Sequence, residues 1–261
     1  MSQNPELIFN FLTYNSLHNL EKIFEEIFKT DLKVKKIFIT DNNSDISEEE
    51  KMKLVNHLKS KYFDNIVLIA NEKNYGIGGS QKITFENIKN ENFDYFVNLQ
   101  TSNRYDSKIV INDIKKNLTS KKDYYLFSRF LKKDNTRDYS LLRKFANILF
   151  IFLTKVLTKT NFSDPGNALY VIKKDLFNKI DQVEVKKITN SSHFPHFLNI
   201  KIYNMEVDFI EIPINWGEGN LRSHLNSITY PIILLSSLIK YFFTKKFFLE
   251  KENNFRYKKI I

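Results

Sequence analysis

Four short polar clusters punctuate the 261-residue chain: Thr13-Tyr14-Asn15, Asp41-Asn42-Asn43-Ser44-Asp45, Asn74-Tyr75-Gly76-Ile77-Gly78-Gly79-Ser80 and Gln100-Thr101-Ser102-Asn103. They offer amides, hydroxyls and carboxylates, which hold a polar ligand through hydrogen bonds. Cations follow later in the chain at Arg104, Arg129, Arg143, Arg222 and His224. A guanidinium grips phosphate oxygens in pairs, so this set suits a phosphate-bearing ligand. No His–carboxylate pair is placed for general-base work. His193 and His196 lack the partners that zinc would need and are read as structural. Each cluster taken alone also fits an ordinary turn. Asp41 serves equally as a helix cap, Asn74 and Gly76 as turn formers, and Asp164 beside Pro165 as a bend. The run Gly76-x-Gly78-Gly79 follows a third strand and lacks the spacing of a dinucleotide fingerprint.

The clusters gain weight from what precedes them. Apolar runs at Leu7–Leu12, Val34–Thr40, Asn65–Ala70 and Phe93–Leu99 read as buried strands, and each empties into one cluster. Helices fill the intervals. One follows Ser16 as N-cap, with Leu17, Leu20, Ile23, Phe24 and Ile27 on one face; others cover Ser47–Lys59 and Gln81–Lys89. Strands alternating with helices over short links build a parallel sheet from right-handed βαβ units. The carboxyl ends of such strands share one edge, where open α/β sheets bind ligands. All four clusters are therefore expected to line one rim. Farther on, a helix over Ile109–Leu118 leads to a strand, Tyr124–Ser128, that ends at Arg129. Tyr139–Thr158 is helical and unusually apolar, and Asp164-Pro165-Gly166 turns into a strand at Ala168–Ile172. A helix over Ser192–Tyr203, a strand at Val207–Pro213, an apolar helix over Ile228–Phe243 and a basic stretch, Lys245–Lys259, complete the pattern.

Charge is unevenly placed. Residues 1–100 carry 12 Lys/Arg against 15 Asp/Glu, whereas residues 101–261 carry 28 against 15. A phosphate-rich or anionic-membrane partner would favour such asymmetry, and nothing in the pattern points to nucleic acid. Zero cysteines exclude a disulfide scaffold and a thiolate metal site, and fit a cytoplasmic protein. The opening MSQNPELIFNFL has no basic n-region and carries Glu6 in its apolar part, unlike a signal peptide. The longest uncharged apolar stretch, Ile228–Ile239, has 12 residues, short of the ~20 that span a bilayer. The two apolar helices read either as a buried layer or as lying in the interface of an anionic leaflet. The second reading places the protein peripherally on the cytoplasmic face of the membrane.

With these clusters in order, residues 7–118 resemble the family 2 glycosyltransferases of the GT-A fold. Thr13-Tyr14-Asn15 is similar to that family's opening motif, Asp41-Asn42-Asn43-Ser44-Asp45 to its second, and Asn74-Tyr75-Gly76 to the N-x-G segment beside the nucleotide. The Gly76–Gly79 run resembles the polyprenyl-phosphate, dolichol-phosphate mannose synthase-like branch. Phe127-Ser128-Arg129, Asp164-Pro165-Gly166, Glu211-Ile212-Pro213-Ile214 and Arg222-Ser223-His224 resemble its later segments more loosely. The resemblance implies an α/β fold with a mainly parallel sheet flanked by helices: a GT-A domain at 1–224, then an apolar amphipathic helix and basic tail at 225–261. It also implies a nucleotide-sugar donor. Thr13, Tyr14, Asn15, Asp41, Asn42, Asn74, Gly76, Gln100, Ser102 and Arg104 would bind it, with Asp41 on the base. Arg129, Arg222 and His224 would act on the phosphates, and Asp164 and Ser223 would contact the acceptor.

One departure is central. The family's metal-binding Asp-x-Asp aligns with Gln100-Thr101-Ser102, so both carboxylates are gone. Neutral oxygens hold Mg2+ or Mn2+ far more weakly. Three consequences stay open: a metal held mainly by the donor diphosphate, cationic side chains in its place, or loss of activity. The expected reaction is hexosyl transfer to a polyprenyl-phosphate or related lipid-linked acceptor. The alternatives are transfer to a sugar hydroxyl in surface-polysaccharide assembly, and a degenerate GT-A domain that binds nucleotide or anionic lipid without turnover.

Overall fold

The computed structural model describes residues 4–136, 139–180, 182–217, 229–244 and 254–260. Among the described residues, eight strands form one sheet: β1 Glu6–Thr13, β2 Lys33–Asp41, β3 Ile66–Asn71, β4 Tyr95–Gln100, β5 Tyr124–Ser128, β6 Tyr170–Lys173, β7 Phe209–Pro213 and β8 Tyr257–Ile260. Their order is β7-β5-β6-β4-β1-β2-β3-β8. Strands β1 to β4 run parallel, as do β5 and β7, while β6 and β8 are antiparallel to their neighbours. From β1 the chain steps outward to β2 and β3, then returns to lay β4 on the other side of β1. That reversal opens a crevice beyond the ends of β1 and β4, the place where such sheets bind ligands.

Helices α1 Leu20–Phe28, α2 Glu48–Lys61 and α4 Ser107–Leu118 cover one face; Ile23, Val55 and Ile111 pack there against Phe9 and Ile39. Helix α3 Gly76–Ile88 lies on the other face, with α6 Lys174–Lys179 and α8 Phe194–Tyr203. Strands covered on both faces read as continuous apolar runs, which is why the first five were visible in sequence. Polar side chains inside them are paired. Asn10 Nδ2 donates to Asn98 Oδ1 at 2.8 Å, Thr40 Oγ1 donates to Asn10 Oδ1 at 2.9 Å, and Asn98 Nδ2 donates to the Ala168 carbonyl at 2.8 Å.

Several local expectations change. Ser16 caps no helix: a 3-10 turn, Leu17–Asn19, precedes α1, and the Ser16 hydroxyl turns to Thr101. Helix α3 starts at Gly76 rather than Gln81. Helix α7 Gln182–Lys187 and α6 are short elements absent from the sequence reading. Within the presumed basic tail, Tyr257–Ile260 joins the sheet beside β3. Ser47 does cap α2, in a reciprocal pair with Glu50.

Helix α5 Leu141–Thr158 packs on α9 Thr229–Thr244 and buries little else. Only Thr154 and Thr158 of α5 are buried, whereas Leu141, Leu142 and Phe145 are 83%, 79% and 66% exposed. Ile232 and Phe243 extend this bare face along α9. Of the two readings of α5, the fully buried layer is excluded. Among the described residues, no helix is long and apolar enough to cross a membrane.

Candidate active site

The parallel registers bring the polar clusters together. Leu12 pairs with Gln100 on one side of β1, and Thr13 with Asp41 on the other. Past the strand ends the ladder continues: Thr101 N–H donates to the Leu12 carbonyl at 3.0 Å, and Asn42 N–H to the Thr13 carbonyl at 2.9 Å. Asp41 and Gln100 thus flank one strand end. A hydroxyl relay, Thr13–Ser16–Thr101, joins the first and fourth clusters with contacts of 3.2 and 2.6 Å.

Side chains complete the rim. Asn15 has φ 53°, a left-handed conformation that asparagine tolerates. Its Nδ2 donates to Asp45 Oδ2 at 2.8 Å, and its Oδ1 accepts from Asp45 N–H at 2.7 Å. Asn42 Nδ2 donates to Asn74 Oδ1 at 2.7 Å, and its Oδ1 accepts from Tyr75 N–H at 2.8 Å. Asn74 Oδ1 also accepts from Gly76 N–H at 2.9 Å. Gly76 has φ 74°, and a Cβ there would sit 2.6 Å from the Asn190 carbonyl oxygen, so only glycine fits. That carbonyl accepts from Gly78 and Gly79 N–H. The first turn of α3 is therefore capped by protein.

Two of the expected ligand residues have charged partners within the protein. Asp41 is fully buried, with Lys51 Nζ 2.7 Å from its Oδ2 and the Ser44 amide and hydroxyl on its carboxylate. It lies beneath the rim and shapes the 41–47 loop. Arg129 forms a bidentate pair with Asp164: Nε to Oδ2 at 2.7 Å and Nη2 to Oδ1 at 2.8 Å, while Arg129 N–H donates to Oδ2 at 3.0 Å. Burial opposes its charge, but Asp164 outweighs burial and holds the guanidinium above its ordinary pKa. Arg129 is thus a matched charge, with Asp164 as its partner. Trp216 lies across the guanidinium and stacks on Tyr105, whose hydroxyl donates to the Gln100 carbonyl.

A cavity of about 610 Å3 runs from Gln100 past Arg129, Asp164 and Trp216 to Phe150 of α5 and Leu234 of α9. Its wall mixes polar residues, Gln100, Arg129, Asp164 and, on α5, Arg143 and Asn147, with apolar ones, Phe150, Ile151 and Leu234 among them. Asn167 lines it and is buried, yet its Nδ2 has no hydrogen-bond partner. His196 also lines it; burial, helped by His193, pushes its pKa down to about 3, so the imidazole is neutral. Its Nε2 lies 2.9 Å from Thr154 Oγ1. Sequence reasoning missed Asn167, His196 and Trp216 as cavity residues because no local pattern marks them. Thr13, Asn15, Asn42, Asn74 and Gly76 stand on the adjoining rim and not in this cavity. Ser102 Oγ accepts from Arg104 N–H at 3.2 Å, and both residues are half-buried at its edge of the crevice. Arg222, Ser223 and His224 lie outside the described residues.

The sequence matches the model of Glycosyl transferase family 2 over residues 11–181, and the chain belongs to that family. Its fold is that of the GT-A glycosyltransferases. Glucosyl-3-phosphoglycerate synthase from Mycobacterium tuberculosis, solved with Mn2+, UDP and phosphoglyceric acid, superposes with a TM-score of 0.57 at 10% identity, covering 97% of this chain and 86% of that one. S. aureus TarS 1–349 gives 0.53 at 10% identity over 92% and 72%. The mannosyltransferase PcManGT from Pyrobaculum calidifontis, with GDP-Man and Mn2+, gives 0.50 at 15% identity over 81% and 56%. No curated protein matches at the level of sequence.

A divalent cation accompanies the nucleotide in two of these structures. Among the described residues, no three His, Asp or Glu side chains could hold a metal ion. After β4 the chain presents an amide and hydroxyls, and Thr101 is already bonded to Ser16. These residues do not fit a resident hard cation.

Proposed function

We propose that the protein transfers a hexose-type sugar from a nucleotide diphosphate donor to a lipid-linked phosphate, working at the surface of an anionic membrane. The observation that carries this reading is the cavity that opens beside the polar rim and runs past the polar Arg129, Asp164 and Asn167, with Arg143 on α5, to the apolar Phe150, Ile151 and Leu234 of α5 and α9. The rim side chains Tyr14, Asn15, Asn42 and Asn74, with Gly76, would hold the nucleoside, supported from beneath by Thr13 and Asp41. Gln100, Ser102 and Arg104 would follow the ribose and diphosphate. Arg222 and His224 would add charge at the leaving group, with Ser223 beside the acceptor. Asn167 Nδ2, unpartnered and buried, is a donor in want of an acceptor oxygen. A phosphate acceptor is already an anion and needs no general base. Catalysis then rests on positioning and on stabilising the departing diphosphate. The Arg129–Asp164 pair would act as a rigid wall between sugar and acceptor.

Transfer to a hydroxyl would need a free carboxylate in the cavity. Asp164 is bound to Arg129, and Glu211, which burial holds above the usual carboxylate range against the opposing hydrogen bonds from Ser163, does not line the cavity.

A thermal-shift screen of UDP, GDP and CDP sugars with and without Mg2+ tests the donor. Stabilisation by one nucleotide series, barely altered by EDTA, is expected; strict dependence on Mg2+ or Mn2+ would overturn cation-free binding. The membrane is tested separately by flotation with anionic liposomes. Leu141, Leu142, Phe145 and Phe243 should carry the protein upward at low salt, and added salt should release part of it. Recovery of all the protein at the bottom of the gradient at low salt would remove the membrane from the proposal.

A further inference from the structure

Residues 254–260 touch the rim from outside the family match, which ends at residue 181. Strand β8 pairs Tyr257 with Asn71, at the end of β3 where the Asn74–Gly76 cluster begins. Arg256 uses both of its backbone polar groups on that cluster's loop. Its N–H donates to the Tyr75 hydroxyl at 2.9 Å, and its carbonyl accepts from Glu72 N–H at 3.1 Å. Phe255 meets the Tyr75 ring edge-on, with centroids 5.1 Å apart and planes at 82°. Under the ring, a Cβ on Gly79 would lie 2.5 Å from Tyr75 Cβ and 3.3 Å from Phe255 Cε1, so the glycine leaves room for this close stacking. Asn87 Nδ2 donates to the Tyr257 hydroxyl at 3.1 Å and ties the same segment to α3.

Tyr75 is the hinge of these contacts. Its ring is held by the C-terminal segment, while its backbone N–H holds Asn42 Oδ1 and its neighbours are Asn74 and Gly76. We propose that residues 254–260 are a clasp that sets the conformation of the Asn74–Gly76 rim, with Phe255 and Tyr75 as positioning residues for donor binding. The donor part rests on the function proposed above; the clasp itself does not. An edge-on aromatic pair and one hydrogen bond to backbone are each modest contributions, but here both converge on one side chain. On one side the loop is held by Asn42 just past β2; on the other, among the described residues, β8 is the strand beside it.

The test uses the full chain with Phe255→Ala, Phe255→Tyr, Tyr75→Phe and, as a control, Lys258→Ala. The last removes an exposed ion pair between Lys258 of the same strand and Glu48 of α2, which is worth little to stability. Hydrogen exchange is followed at residues 72–79 and, for reference, at α4; affinity for UDP and GDP is measured by titration. Phe255→Ala should speed exchange at 72–79 by about tenfold while α4 is unchanged, as local opening does. It should weaken binding of whichever nucleotide the wild type takes by about fivefold, the scale of one lost aromatic contact. Tyr75→Phe, which keeps the ring and the fold, should shift both in the same direction, and Phe255→Tyr should restore both. Unchanged exchange in Phe255→Ala and Tyr75→Phe overturns the clasp. Faster exchange with affinity intact overturns the positioning role, as does an equal effect of Lys258→Ala. If the wild type binds neither UDP nor GDP, and the screen finds no CDP series either, the donor reading fails, and exchange alone then decides the clasp.

Discussion

Replacing Asp164 by alanine should cost about 3–5 kcal/mol of stability, the penalty for stranding a buried guanidinium. Arg129 loses three hydrogen bonds at once in this variant. Its side chain is 18% exposed and lies against Trp216 and Phe130, so water replaces the carboxylate only in part. The effect should spread into the cavity wall, since Arg129, Asp164 and Trp216 all line it. Replacing both members by apolar residues of similar size, Arg129→Met with Asp164→Leu, should recover most of the loss. Denaturant unfolding of the two variants checks this. A single-variant loss below about 1 kcal/mol would mean that the pair behaves like a solvated surface bridge.

The second large effect falls on the other side of β1. Asp41→Ala leaves Lys51 buried without its counter-charge and removes the acceptor for Ser44, again about 3–5 kcal/mol. Lys51→Met breaks the same ion pair without touching Ser44, and this separates two roles for Asp41. If Asp41 acts by shaping the 41–47 loop, both variants should weaken nucleotide binding. A Lys51→Met protein with wild-type affinity beside an Asp41→Ala protein with none would return Asp41 to direct contact with the base.

These two pairs also mark the limit of what sequence can reveal. The strands of the first half were legible because burial on both faces leaves long apolar runs, and Tyr124–Ser128 was placed to the residue. Strand β8 was not, because Tyr257–Ile260 is four residues long with two lysines facing out. The glycines at 76–79 resemble a loop by propensity. They belong to a helix because the Asn190 carbonyl crowds Gly76 and Gly78 and caps their turn. The convergence of four polar clusters followed from βαβ handedness alone. Which cluster members face a ligand did not follow. Lys51 is ten residues from Asp41, and Asp164 lies 35 from Arg129, and nothing local to either residue announces its partner. In both cases a charge read as available for binding also has a counter-charge within the protein.

The exposed faces of α5 and α9 carry the same lesson in reverse. Apolar composition suggested either a buried layer or an interfacial one, and only the packing distinguishes them. With Leu141, Leu142 and Phe145 in solvent, that face exceeds what isolated surface leucines explain.

The most direct measurement is a crystal structure with the nucleoside diphosphate selected by the thermal-shift screen. The base should lie against Asn15, Asn42 and Asn74, and the diphosphate should extend over Gln100 toward Arg104, at the mouth of the cavity. A nucleotide seated away from the ends of β1 and β4, or one held there only through a metal ion on protein carboxylates, would contradict this.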